Sequence, residues 1–145
     1  MTNMDIRYRL ESINETEYRF NYDFNYDSLN SEMINIQIGH DMKPFMEEDR
    51  IVVSAKVNIV DTSTDTVLAT NAISMSFGLS PIKSIISFDS NGNVATQDTL
   101  VLDTFIIATI GALRGVLMKN LKGTPLYFVS IPLIPIENFR SSKKQ

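Results

Sequence analysis

The chain has 145 residues, 43% of them hydrophobic and 21% charged, which suits one domain, residues 1–145, with a buried core. It has no cysteine, so disulfides, thiol chemistry and thiolate metal sites are excluded. The net charge of −4 is uneven: residues 1–49 carry 11 acidic and 4 basic groups, a balance that argues against nucleic acid as a partner.

Asp5, Arg7, Arg9 and Glu11 occupy the place where a secretory signal needs an apolar run. Ile6, Tyr8 and Leu10 share one parity, and Tyr18, Phe20, Tyr22, Phe24 and Tyr26 resume it. Alternation with one apolar side predicts a half-buried strand. Ile13 falls on the wrong parity, so a bulge or bend is expected over Ser12–Thr16. Glu15 and Glu17, two apart, are expected together on the polar face, and Ser28–Ser31 as a polar turn.

A second strand begins at Ile34, Ile36 and Ile38, and its pattern lapses over Asp41–Asp49, where Pro44 predicts a loop or break. Alternation returns from Ile51 to Val60. After the turn composition of Asp61–Asp65 it continues from Val67 to Leu79. Strands joined by short polar turns predict an antiparallel meander. Asn91-Gly92 then predicts a tight hairpin turn.

From Asp98 to Gly123 the chain reads as its one long helix. Asp98 or Thr99 can cap its start, Lys119 and Lys122 suit its last turn, and Gly123 with Pro125 ends it. This helix lacks a wide polar face, so it should be covered on more than one side. Its uncharged run between Asp103 and Arg114 is about half of the roughly 20 residues a membrane span needs. A soluble cytoplasmic protein without membrane insertion is the expectation. Gly111 and Gly115 lie one above the other on the helix, and two readings stand: tight packing on the chain's own sheet, or a helix contact between subunits. Beyond the helix, Leu126–Phe139 is apolar, and Pro132 and Pro135 predict an extended tail, frayed over 140–145.

No constellation for catalysis is legible, and an enzyme is not expected. His40 is the single histidine, no Gly-x-Ser-x-Gly elbow occurs, and Asp89–Asp98 misplaces its glycine for a calcium loop. No cofactor and no metal are expected. The informative feature is surplus apolar sequence. Pro81, Ile82, Ile85, Ile86 and Phe88 precede the helix, and Leu126, Tyr127, Phe128, Ile131, Leu133 and Ile134 follow it. Whatever part of this set stays exposed would form a patch that binds another subunit or a client chain.

The pattern resembles the SecB family of export chaperones and its SecB-like relatives. The resemblance runs from about Ile34 to Phe139. It is carried by the pair Ile51–Val60 and Val67–Leu79 closing on Ser76-Phe77-Gly78-Leu79, and by the block from Ala112 through Lys122-Gly123-Thr124 to Pro132, with Asn138-Phe139. It implies an α+β fold, a four-stranded antiparallel sheet with one long helix packed on it. It also implies a homotetramer, a dimer of dimers that uses the first strand and the long helix, with Tyr8, Leu10, Phe105, Ile107, Gly111, Arg114 and Gly115 at interfaces. The implied function is that of an ATP-independent holdase for unfolded or precursor polypeptides. The eleven apolar residues above would then meet the client, and the acidic outer sheet face would dock the translocase SecA. The family's second helix and acidic tail have no counterpart here, and Thr70 stands where the family has an acidic translocase contact. SecA docking is therefore not expected, and the alternative is an interaction protein with one dedicated partner, such as an antitoxin-like chain.

Overall fold

The structure, a computed structural model, describes residues 5–96 and 98–141, with side chains through Phe139. Strands β1 (Arg7–Phe20), β2 (Ile34–Phe45), β3 (Arg50–Asp61) and β4 (Thr66–Ser80) form one antiparallel sheet in the order β1-β4-β3-β2. The meander expected from the sequence holds for β2–β3–β4. β1 instead crosses to the far edge and pairs with β4. Its connection, residues 21–33, spans three strand spacings, about 14 Å. That route follows the sheet end: the Asn21 N–H donates to the Leu68 carbonyl, and the Thr62 N–H donates to the Met33 carbonyl, each at 2.8 Å. Single 3-10 turns at Tyr26–Ser28 and Ser31–Met33, each capped by an asparagine, replace the expected polar turn. The alternation through Tyr26 therefore leaves the sheet after Phe20. Phe20, Tyr22, Phe24 and Tyr26 stack into an aromatic cluster, with centroids 4.9–5.4 Å apart.

β1 carries two bulges, where Glu11 and Thr16 are extra residues against β4. Each bulge reverses the parity of the residues after it. Ile13 opposite Met75 and Glu15 opposite Ile73 thereby join Tyr8, Leu10, Tyr18 and Phe20 on the buried side of the sheet. This corrects the expectation for the two glutamates: Glu15 and Glu17 lie on opposite faces.

β2 continues through Pro44 to Phe45, beyond the expected break. It is an edge strand, where a residue without an N–H can sit with no ladder bond lost. The turn to β3 is confined to residues 46–49.

Beyond β4 come a short helix α1 (Ile82–Ile85) and a hairpin, β5 (Ile86–Phe88) with β6 (Val94–Thr96). Gly92 has the expected positive φ, but the loop is longer than a two-residue turn. Asp89 organises it, its carboxylate accepting from the Asn91 and Asn93 N–H groups.

Helix α2 (Thr99–Leu121) begins with Asp98 as its cap, Oδ1 accepting from the Val101 N–H at 3.4 Å, and Gly123 follows its end at φ 82°. It packs on β3 and β4 through Phe105, Ile110, Leu113, Leu117 and Leu121, all fully or nearly fully buried. Phe105 stacks on Phe77 at 4.2 Å between centroids. By length and composition this helix could cross a membrane, yet half of its apolar span is buried inside the fold. After the extended residues 129–135 the tail forms a further short helix, α3 (Ile136–Ser141), which the prolines had argued against. Pro135 sits just outside its first turn, where a missing N–H leaves no bond unmade. Of the frayed end expected over 140–145, residues 142–145 lie outside the described residues.

Candidate functional site

α2 covers the middle of the sheet and leaves both flanks to other partners. On the β1 flank, Tyr8, Leu10 and Ile13 stay about half exposed beside it, Tyr8 meeting the edge of the Phe105 ring at 5.6 Å. On the β2 flank the apolar row Ile36, Ile38 and Met42 is partly covered by Ile134 and Phe139 of the tail. The tail itself passes over α2 and is anchored there. Arg114 donates from Nε to the Ile131 carbonyl at 2.8 Å and from Nη2 to the Pro132 carbonyl at 2.9 Å. Two parallel N–H groups on a planar fork suit two successive carbonyls.

The apolar residues expected to meet a client divide into two groups. Ile82, Ile85, Ile86, Leu126 and Ile131 are buried within the protomer, where they close the core around α1 and the tail. That corrects their assignment as residues that meet the client: one long helix does not fill the sheet, and these side chains complete it. Pro81 and Ile134 are half-buried. Leu133, Tyr127 and Phe128 are exposed at 87%, 72% and 48%, and Phe88 stands exposed on the hairpin. Tyr127 and Phe128 meet edge to face at 5.9 Å.

The residues expected at subunit interfaces divide as well. Phe105 is core, which corrects its assignment, and Arg114 is engaged with the tail. Tyr8, Leu10, Ile107 and Gly115 face outward and Gly111 is partly covered. A Cβ built on Gly115 would meet nothing within 4 Å, and one on Gly111 only the Arg114 Nη1 at 3.9 Å. Packing on the chain's own sheet therefore does not require either glycine. Together with Leu100 and Met118, both exposed, they form an outward stripe along α2. Leu100, Met118 and Ile13 are missing from the sequence-based set. Helical spacing from Gly111 would have found the first two.

The opposite face of the sheet is polar but not acidic, which corrects the expected docking side. Glu11 Oε1 accepts from Arg50 Nε at 2.7 Å and from the Ser76 hydroxyl at 3.2 Å. The Arg50 contact holds the Glu11 carboxyl below its ordinary range, against partial burial, and Glu11 raises Arg50 in turn. Lys56 pairs with Glu17 at 3.2 Å, and Arg7, Arg9 and Arg19 extend into solvent. Thr70 is buried, its hydroxyl donating to Asn58 Oδ1 at 2.6 Å. Among the described residues no group of three histidine, aspartate or glutamate side chains is placed to hold a metal ion.

This arrangement of a four-stranded antiparallel sheet with one long helix recurs in a solved structure. The SecB-like chaperone of Mycobacterium tuberculosis, in complex with a ChAD peptide from the HigA1 antitoxin, superposes with a TM-score of 0.54 over 89% of this chain and 91% of that one. The fold is SecB-like. Sequence identity is only 8%, so the likeness concerns the SecB-like backbone and not particular side chains. Neither a family model nor a curated protein sequence matches the chain.

Proposed function

We propose that this chain is an ATP-independent chaperone that holds unfolded or precursor polypeptide segments on the apolar surface of its tail. The observation that carries this reading is the exposure of Tyr127, Phe128 and Leu133 on a tail fixed by Arg114. Large apolar side chains held outward on an anchored backbone form the kind of patch that binds other chains. The protein assembles as a homo-oligomer, a dimer of dimers, through the β1 flank and the outward stripe of α2, and it acts in the cytoplasm. The mixed charge of the outer face and the buried Thr70 supply no acidic dock, so transfer to SecA is not part of the proposal.

A second reading is a dedicated partner, and one observation favours it: the solved SecB-like neighbour holds an antitoxin peptide. The burial of five of the expected client residues leaves a smaller patch, which fits one short apolar segment better than many. Aggregation of a chemically denatured protein, followed by light scattering, tests the first reading. Wild type should suppress it, and the variant Tyr127→Ser/Phe128→Ser/Leu133→Ser should do so several-fold less well with unchanged thermal stability. Equal suppression by both would remove the tail from the site. No suppression by wild type, with tight binding of one peptide, would favour the dedicated partner.

A further inference from the structure

On the sheet and α1, Arg7, Arg9, Arg19, Arg50, Lys56 and Lys83 pair with carboxylates at 2.7–3.5 Å. Lys43 stands over the Phe45 ring at 5.4 Å. On α2 and just beyond it the pattern changes: Arg114, Lys119 and Lys122 have no carboxylate partner among the described residues. The chain offers them none nearby in sequence, because residues 104–136 contain no aspartate or glutamate. Glu15 does reach the last turn of α2, but its carboxylate is bonded by the Asn120 and Asn71 amides at 2.6 and 2.8 Å.

These three cations border the apolar surface of the tail. The Lys122 N–H donates to the Lys119 carbonyl, Thr124 to Leu121, Tyr127 to Thr124 and Val129 to Leu126, at 2.9–3.3 Å. The chain thus coils tightly as it leaves α2. At the rise of about 2 Å per residue of such turns, Lys122 and Tyr127 lie on the order of 10 Å apart. That is about the distance over which charges act at 0.1 M salt. Lys119 and Lys122 are exposed, as Tyr127 and Phe128 are, while Leu121, Leu126 and Val129 turn inward. At the other end of the surface, Arg114 holds the Pro132 carbonyl, one residue from Leu133. The α2 dipole favours a cation in the last turn, but it falls off within that turn and does not extend to Arg114.

We infer that the segment held at Tyr127, Phe128 and Leu133 is an aromatic or large aliphatic stretch flanked by aspartate or glutamate. This rests on the client-binding reading above and names the client's chemistry. The apolar core of the segment covers the exposed rings, and its carboxylates meet cations that no described carboxylate neutralises. A flanking lysine or arginine would meet like charge at either end, so the same surface turns basic segments away. Because these pairs stand in water, each contributes modestly. Selection comes from their sum and fades with salt.

The test uses the full chain and three fluorescein-labelled peptides that share one phenylalanine–leucine core, flanked at both ends by aspartates, serines or lysines. Anisotropy at low salt should give about tenfold tighter binding of the aspartate peptide than of the lysine peptide, a difference that fades at about 1 M salt. Lys119→Gln/Lys122→Gln should shrink that ratio several-fold while binding the serine peptide as wild type does. Equal or tighter binding of the lysine peptide, or an unchanged ratio in the variant, would overturn the acidic preference and leave a client site in place. A changed oligomeric mass in the variant would overturn it as well, by giving the lysines to a subunit contact. So would displacement of the aspartate peptide by vesicles of equal parts phosphatidylserine and phosphatidylcholine, which gives the surface to lipid. No binding of any of the three peptides by wild type would overturn the client reading, and the acidic preference with it.

Discussion

Asn120 donates from Nδ2 to Glu15 Oε2 at 2.6 Å, joining the last turn of α2 to the middle of β1 across 105 residues of sequence. The contact belongs to a small network. Asn71 on β4, fully buried, donates to the same carboxylate oxygen at 2.8 Å and accepts from Asn120 at 3.1 Å, and the Tyr18 hydroxyl donates to the Asn120 carbonyl at 3.2 Å. Three elements are thereby held in one register by groups that have few other partners. Asn71→Ala should lower stability by about 1–3 kcal/mol, because it leaves buried polar groups without their bonds. Urea unfolding at constant slope measures this. A loss under 0.5 kcal/mol would mean that water replaces Asn71 freely.

Arg114 and the tail make a separate case. Arg114→Lys keeps the charge but loses the planar fork that meets the Ile131 and Pro132 carbonyls together. The expected result is faster hydrogen exchange over residues 126–135 and a stability loss of about 1–3 kcal/mol. Holdase activity should fall with it, since Tyr127 and Phe128 would no longer be held outward by a fixed backbone. Unchanged exchange in Arg114→Lys would show that Val129 and Ile131, both buried, anchor the tail without help.

The glycines of α2 offer a test of assembly that is nearly free of folding effects. Gly115 has open space where a Cβ would stand. Gly115→Ala should therefore stabilise the protomer by roughly 1 kcal/mol through helix propensity alone. Gly115→Leu should leave the protomer folded yet lower the oligomeric mass seen by light scattering, if the outward stripe is an interface. The same mass for wild type and Gly115→Leu would move the interface elsewhere, with the β1 flank the remaining expectation.

How far the sequence could be read depended on whether a signal was local. Asp98 and Gly123 mark the ends of α2 because capping involves only neighbours in sequence. The four strands follow from period-two alternation in the same way. The position of β1 did not, because nothing local distinguishes a strand that pairs with the next one from a strand that crosses to the far edge. Ile13 was the one readable sign of the bulges. It located the irregularity, but the count of two, which separates Glu15 from Glu17, appears only against β4. For the site, the apolar surplus was legible as composition. Which members of it are core, such as Ile82 and Leu126, depends on how far α2 covers the sheet, and that is a tertiary fact.

The aromatic cluster at the end of β1 sets the response to alkali. Burial, with the neighbouring Tyr18 and Tyr22 adding to it, pushes the Tyr26 hydroxyl from 10.0 up to about 12, and that hydroxyl donates to the Asn21 carbonyl at 2.6 Å. Tyr18 is raised too, mainly by burial. A raised folded value means that the folded chain holds its proton more tightly than the unfolded one. The associated stability is whole below pH 10 and is lost as pH climbs toward about 12. The midpoint of urea unfolding should accordingly fall between pH 10 and 12, and Tyr26→Phe should flatten that fall while being less stable than wild type at pH 8, where its hydrogen bond is missing. A Tyr26→Phe profile parallel to wild type across this window would assign the alkaline loss to other groups.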